Sequence, residues 1–561
     1  MKLKKFLTSI LIVSGIMFTS CGVKRKSTKI NDYSLFPQGT VLSGRMDAEK
    51  TLYLVREEST AMTGVCFIDN NQAVTEVLSY VADSTGKTTF NQGNELYVGK
   101  MKVNRSLSEI ELSFPKNSPL GDAPQTFRLS YAGMIPETSD CPERYKNPVF
   151  ENLIAEKNIQ YGMAPGYYTS KPSDYISKDD YRKWFSEMFN LSVQHHGFLF
   201  RYQMKQLPLL LDVYQPENDT IGKRPLLLFI HGGAFFFGDK ENMLQQVITE
   251  YVVKRGFVVA SINYRLGTSI TPGSIERTIY RDVQDTRAAL RYLMSRKDIF
   301  GIDENQLYLS GSSAGGIISL TTAFMDSNEV YSSTGGGLFN QRENLGGLDD
   351  SGNTLRNSFK IAGVASMWGG ITNLEILNNN IPTLLMHGTA DDVIPSDEGL
   401  PLKNYMPNFI HRVLSLFGKC YGSEPIYNRL QSMNIPVKYV PFHGEGHDPY
   451  IESDESLNKN IDIICDELGG FLYDNVSKRY FNHRLSGDTI VGKYDLPPVY
   501  QLDNLGKATV QWHVDGGFIT QQTNASIRVI WYDLYETGTV TACITDENGV
   551  SCIKELKVAI Q

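Results

Sequence analysis

The apolar strand Leu307–Leu309 runs straight into Gly311-Ser312-Ser313-Ala314-Gly315, and the chain then continues from Gly316 to Phe324 as a helix. No other stretch constrains the fold as much. Small residues on both sides of the turn let strand and helix approach closely. The residue at the apex is held in a strained backbone conformation with its side chain projecting from the turn. The G-x-S-x-G register puts Ser313 at the apex and Ser312 beside it. A hydroxyl presented in this way is a candidate nucleophile. The pentapeptide alone is weak in a chain with 48 glycines, so its weight comes from the strand–turn–helix context and from further motifs in a fixed order around it.

At 561 residues the chain is too long for one ordinary core, and more than one domain is expected. Residues 1–21 read as an export signal. Lys2, Lys4 and Lys5 form a basic head, Phe6–Phe18 a short apolar run, and Thr19-Ser20-Cys21 its end. The run is too short to span a bilayer comfortably. A cysteine after two small residues and before Gly22 resembles a bacterial lipoprotein cleavage box. It implies lipidation of Cys21, with Lys24–Thr28 as a tether and the protein anchored in the bacterial cell envelope. Ordinary cleavage and secretion is the alternative. The seven cysteines are an odd number for an exported protein, and lipidation of Cys21 leaves six. Cys543 and Cys552 flank a turn-like TDENG and are a possible disulfide. The pairing of Cys66, Cys141, Cys420 and Cys465 is open. No two cysteines have zinc-ligand spacing, so no metal is expected, and nothing calls for a cofactor. The net charge of −8 and the small basic clusters after Lys26 argue against nucleic acid. With no later run apolar enough to span a bilayer, a lipid anchor is the expected membrane contact.

Three segments follow the signal. Residues 33–147 hold alternating stretches such as TLYLVRE, EIELSF and FRLSY, which predict a small β-rich domain. It carries no chemical constellation and reads as a packing or support module rather than a binding one. Residues 148–478 alternate strand and helix patterns, which predicts an α/β domain with a largely parallel sheet covered by helices. Within it, Leu209–Tyr214, Pro225–Ile230, Phe257–Ile262, Lys360–Ser366, Thr383–Met386 and Val437–Val440 read as strands, and Asn242–Lys254 and Ile279–Arg296 as helices. The Gly-, Ser- and Asn-rich span from Asp326 to Ser358 reads as a long surface excursion. Residues 499–561 contain ATVQWHV, SIRVIWY and GTVTACI, the pattern of a small β-sandwich. Trp512 and Trp531 lie in its alternating strands and read as packing residues rather than a sugar platform.

Three motifs complete the chemistry. His231-Gly232-Gly233 follows the strand Pro225–Ile230. Its glycines, with the Ala314 backbone N–H, suit an oxyanion hole at Gly232, Gly233 and Ala314. His231 itself reads as a local packing or hydrogen-bonding group. HGTADDVIP (387–395) follows the strand Thr383–Met386 and offers Asp391, with Asp392 as competitor, to orient an imidazole. PFHGEGHDPY follows the last strand and offers His447 as the base, with His443 as competitor. The order Ser313, Asp391, His447 along the chain separates this constellation from chymotrypsin-like and subtilisin-like arrangements.

From about Leu209 to Ile461 the chain resembles the α/β-hydrolase superfamily, in its carboxylesterase and esterase/lipase branch. The resemblance rests on HGGAFFFG (231–238), NYRLG (263–267), RDVQDTRAALRYL (281–293), FGIDENQLYLSGSSAGG (300–316), HGTADDVIP (387–395) and GEGH (444–447). It implies an α/β-hydrolase core, a Ser313–Asp391–His447 triad and hydrolysis of carboxylic esters, including acyl or feruloyl esters on polysaccharide. Tyr264 and Arg265 resemble a structural or pocket element of that family. The last segment resembles PKD-like Ig-fold domains of exported bacterial proteins. The competing readings are a serine peptidase of the same fold and a catalytically silent surface protein that binds carbohydrate or mediates adhesion.

Overall fold

The structure is a computed structural model that describes residues 35–36, 39–56, 62–70, 73–92, 94–104, 109–134, 143–167, 169, 205–267, 274–335, 343–402, 419–452, 454, 456–480, 482–492, 496–531, 536–546 and 550–561. Cys21 and the rest of the expected export signal, and also Cys141, lie outside these residues.

The first segment folds into eight antiparallel strands between Thr40 and Met134 that close into a barrel, the first pairing with the last. Its sequence alternation has a direct cause. In EIELSF (Glu109–Phe114), Ile110, Leu112 and Phe114 point inward while their neighbours face outward. The interior is filled by side chains that include Leu52, Leu54, Phe90, Met101 and Leu129. Outside it, Val41, Val55, Val65 and Phe67 pack against Ile530 of the last segment. The Phe67 and Phe518 rings lie 5.4 Å apart.

The central segment is built on one eight-stranded sheet: β1 (Leu153–Gly166), β2 (Lys205–Pro216), β3 (Arg224–Ile230), β4 (Val258–Ile262), β5 (Ile302–Ser312), β6 (Ile361–Met367), β7 (Thr383–Gly388) and β8 (Val437–Phe442). The spatial order is β1-β2-β4-β3-β5-β6-β7-β8. β1 and β2 are antiparallel and β2 meets β4 antiparallel. From β4 onward all pairs are parallel. This is the α/β-hydrolase architecture. Every residue of β3 is buried, as a central parallel strand covered on both faces requires.

Alternate residues of the sheet feed two cores. Leu226, Leu228, Ile230, Leu307 and Leu309 pack with α2 (Ser274–Ser295), α3 (Ala314–Phe324) and α4 (Ser423–Ser432) on one face. Leu227, Phe229, Tyr308, Leu384 and Met386 pack on the other with α1 (Met243–Val253) and α5 (Asn460–Tyr480). Each such side chain contributes about 1.5–3 kcal/mol by leaving water. All of α3 is buried, so the helix after the serine turn is fixed along its length. Among the described residues, no helix is long and apolar enough to cross a membrane.

The described parts of the excursion 326–358 lie along α2. The Tyr280 hydroxyl donates to the Gly346 carbonyl, the Gln284 amide to those of Leu345 and Gly347, and the Asn353 amide to that of Ala288.

The last segment supplies six strands of two four-stranded sheets, which Leu485–Ser486 and Ile490–Val491, upstream of the expected start at 499, complete. Trp512 and Trp531 are buried in its core. The indole N–H of Trp512 donates to the Thr523 carbonyl and that of Trp531 to the Tyr500 hydroxyl, so both are packing residues with satisfied polar tips.

Cys543 and Cys552 do not bond to each other, contrary to the sequence expectation. Cys543 is disulfide-bonded, and Cys552 is a free thiol. The register explains this. Cys543 stands opposite Ile553, and Cys552 opposite Ile544. Side chains alternate faces along a strand, so the two sulfurs sit on opposite sides of the sheet. Burial pushes the Cys552 thiol up to about 12. Cys66, Cys420 and Cys465 are also buried free thiols, so cysteine parity no longer bears on Cys21. Alkylation of the denatured, unreduced protein followed by peptide mapping should recover Cys66, Cys420, Cys465 and Cys552 as blocked thiols. Recovery of a peptide joining Cys543 to Cys552 would contradict this register.

Candidate active site

The serine turn is built by close packing at the end of β5. A Cβ on Gly315 would lie 2.0 Å from the Ile230 carbonyl oxygen, so only glycine lets α3 start this close to β3. Ser313 is held at φ 54° and ψ −120°, a strained conformation for a residue with a side chain. Its N–H donates to the Met367 carbonyl at the end of β6, 2.9 Å away, which pins the turn to the neighbouring strand. Ser313 occupies the N-cap position of α3 but makes no side-chain cap bond. Its hydroxyl is directed to His447.

The Ser313 hydroxyl donates to His447 Nε2 at 2.8 Å, and His447 Nδ1–H donates to Asp391 Oδ2 at 2.8 Å. Residues far apart in sequence therefore converge from the C-terminal ends of β5, β7 and β8. His443 is exposed, and the carboxylate facing His447 is that of Asp391. Asp391 is fixed from its other side by the Val393 and Ile394 N–H groups, both 2.9 Å from Oδ1. Burial alone would raise its pKa. The His447 charge and hydrogen bonds from His387 and His447 overcome this and hold the carboxyl well below the usual range. Burial alone would likewise lower His447. The charge and hydrogen bond of Asp391 raise it above the ordinary imidazole value.

The HGG loop abuts the serine turn. A Cβ on Gly232 would come within 2.9 Å of the Ser312 carbonyl and 3.2 Å of Ser313 Cβ. Gly233 has φ 113° and a Cβ there would strike the Phe237 carbonyl at 2.2 Å, so the loop bends as only glycine allows. Ala314 heads α3, and the exposed N–H groups of a helix's first turn favour negative charge. His231 is fully buried, and its Nδ1–H donates to the Gly232 carbonyl at 2.7 Å. Burial pushes its pKa down to about 4, so the ring is neutral and serves the loop. Tyr264 of the NYRLG motif stacks on His231, with ring centroids 4.4 Å apart, and donates its hydroxyl to the His231 carbonyl. The motif thereby buttresses the HGG loop from behind. Arg265 is tied to Asp285 in a buried pair at 2.8 Å.

Sequence reasoning missed one residue of this network. His387, at the end of β7, is completely buried. Its Nε2–H points at Asp391 Oδ2 (3.1 Å) and the Ile394 carbonyl (2.8 Å), and its Nδ1 accepts from the Ser423 hydroxyl (2.8 Å). The two acceptors at Nε2 fix the tautomer. Asp391 is thus shared by two imidazoles, one facing the serine and one behind it. The signal was present in HGTADDVIP, where a histidine precedes the carboxylate by one tight turn. Among the described residues, no group of three or more His, Cys, Asp or Glu side chains is placed to hold a metal ion.

The family BD-FAE matches residues 211–380. Over 113 residues the chain is 34% identical to carboxylesterase 3B of Mus musculus, covering 20% of this chain and 19% of that protein. Over 218 residues it is 30% identical to a probable isoprenylcysteine alpha-carbonyl methylesterase of Arabidopsis thaliana, covering 33% of this chain and 42% of that protein. The chain therefore spans less than half the length of either relative. Among solved structures, a truncated carbohydrate esterase from gut microbiota aligns at 18% identity and a TM-score of 0.34, over 58% of this chain and 98% of the other. An esterase from Thermogutta terrifontis aligns at 18% identity and a TM-score of 0.32, over 49% of this chain and 90% of the other.

Proposed function

We propose that this protein is a serine carboxylic-ester hydrolase with Ser313 as nucleophile, His447 as general base and acid, and Asp391 as the group that orients and charges the imidazole. The observation that carries the proposal is His447 bridging the Ser313 hydroxyl and the Asp391 carboxylate at 2.8 Å on each side. The BD-FAE match and the esterase names of the relatives support it. In the first step His447 Nε2 takes the Ser313 proton as Oγ attacks the ester carbonyl. The N–H groups of Gly232 or Gly233 and Ala314 stabilise the tetrahedral oxyanion, and the first-turn field of α3 adds to them. His447 returns the proton to the leaving alkoxide. Water, deprotonated by the same ring, then releases the acid and frees Ser313.

The substrate class is proposed as acyl or feruloyl esters carried on polysaccharide, a reading that follows from the export signal and the family resemblance. The proposal includes a lipid anchor at Cys21 and a PKD-like identity for the last sandwich. Mass spectrometry of the native protein should find a glyceride-modified, acylated Cys21 at the N-terminus. An unmodified N-terminus beyond that residue would remove the anchor and leave the chemistry untouched.

The test of function is a panel of p-nitrophenyl acyl esters, methyl ferulate, acetylated xylan and proline-containing peptide amides. Turnover of esters without turnover of amides is the expected result. Preferential cleavage of the amides would replace the esterase reading with a peptidase. No turnover of any substrate by folded protein would favour the silent binding protein.

His387 enters this mechanism as a positioning residue, since it acts on Asp391 and not on substrate. His387→Ala should lower kcat/KM about tenfold, the scale of one charge-assisted hydrogen bond. His387→Gln keeps an N–H donor near Asp391 and should recover part of the loss. Equal activity of H387A and the parent would show that the two backbone N–H groups hold Asp391 unaided.

A further inference from the structure

We infer that the end of the sheet remote from Ser313 carries a second ligand site, for a small anionic sugar. A cavity of about 590 Å³ opens there, lined by Arg287, Arg291, Arg356, Lys360, Asp349 and Thr322 among others. Its place in the fold separates it from the triad. Lys360 and Ile361 stand at the start of β6, whereas Met367, which binds the Ser313 N–H, ends it; the strand between them runs about 20 Å. Thr322 lies near the far end of α3, on the order of 12 Å along the helix from the serine turn. The proposal is therefore independent of the esterase reading.

The charge on the wall is unbalanced. Four cationic side chains face one lining carboxylate, Asp349. That carboxylate is held by Arg291 Nη1 at 2.5 Å and by Arg287 through Nε and Nη2 at 3.0 and 2.6 Å. Arg291 spends its remaining donors on Asn353 Oδ1 and the Ser351 carbonyl, so its role is to anchor Asp349. Arg287 Nη1 makes no hydrogen bond to a described residue. Arg356 donates to the Asp349 carbonyl and reaches Asp350 only at 4.0 Å. Lys360 forms no ion pair among the described residues. Three cations thus retain capacity for an anion around one mouth, where their fields add.

Thr322 stands in the same wall. Thr322 is 2% exposed, and its Oγ1 is buried with no hydrogen-bond partner. The wall also carries the amides of Asn357, Asn379 and Asn380. Amides both donate and accept, which suits sugar hydroxyls, while the guanidinium and ammonium groups suit a carboxylate or phosphate. The volume is in the range of small-molecule pockets.

Calorimetric titration of the full chain at low ionic strength, with D-glucuronate, glucose 6-phosphate, inorganic phosphate and D-glucose as probes, tests the proposal. Saturable one-site binding of either anionic sugar is expected, with D-glucose and inorganic phosphate each at least tenfold weaker. The tighter of the two sugars identifies the anion as carboxylate or phosphate. Arg356→Ala combined with Lys360→Ala, both exposed, should weaken binding at least tenfold and leave p-nitrophenyl acetate hydrolysis within twofold of the parent. The proposal is overturned by absence of saturable binding, by D-glucose or inorganic phosphate binding as tightly as the anionic sugars, or by unchanged affinity in the double variant.

Discussion

Ser313→Ala is expected to lower kcat/KM for p-nitrophenyl acetate by on the order of ten-thousand- to million-fold, because every covalent step passes through its Oγ. The fold should survive, since alanine keeps the Cβ and the N–H bond to Met367. Ser312→Ala should stay near the parent. The strain at Ser313 gives a companion expectation. Ser313→Gly should be as inactive as S313A yet raise the melting temperature by a few degrees, because glycine relieves a positive φ of 54° that costs about 1–3 kcal/mol. Ester turnover by S313A equal to that of the parent would end the nucleophile assignment. A fall in stability of S313G would show that the turn is not strained.

Asp391→Asn carries the second large effect, about ten-thousand-fold in kcat. The carboxamide oxygen can still accept from Val393 and Ile394, but its NH2 then faces His447 Nδ1–H, donor against donor. The ring is driven to the other tautomer, whose Nε2–H cannot take the serine proton. The pH profile gives an independent readout. His447 must be neutral to act as base, and Asp391 raises its pKa, so the acid limb of kcat/KM in the parent should lie above the ordinary imidazole value of about 6.5. In D391N the raising charge is gone and the limb should move to lower pH. His443→Ala should leave both rate and limb near the parent, and Asp392→Asn, the last of the charges that raise His447, should leave the rate near the parent. A limb unmoved in D391N would mean that another group titrates.

Much of the central site was legible because its determinants are local. The strand–turn–helix at 306–324 must place a serine at its apex, and the all-apolar PLLLFI must be a central strand. Chain order then ranks Asp391 and His447 without a structure. What was not legible depends on long-range register. Alternation in EIELSF predicts a strand but not that Thr40–Arg45 pairs with Gln125–Met134 to close a barrel. The faces of Cys543 and Cys552 follow from the pairing of Ile544 with Cys552, which a turn-like TDENG does not dictate. The excursion 326–358 reads as a loop in sequence, and the course of its described parts along α2 is set by polar contacts from Tyr280, Gln284, Arg287 and Arg291. His387 was in view within its motif, but its role depends on Ser423, which comes from a helix that the sequence does not link to it.

The central claim is that His447 and Asp391 make Ser313 a nucleophile. Its most direct measurement is covalent labelling with a fluorophosphonate, read by intact mass and peptide mapping. One adduct per chain, on Ser313, is expected in the parent, with labelling slowed by orders of magnitude in His447→Ala. No adduct on folded protein, an adduct on Ser312, or labelling of Ser313 at the parental rate in H447A would contradict it.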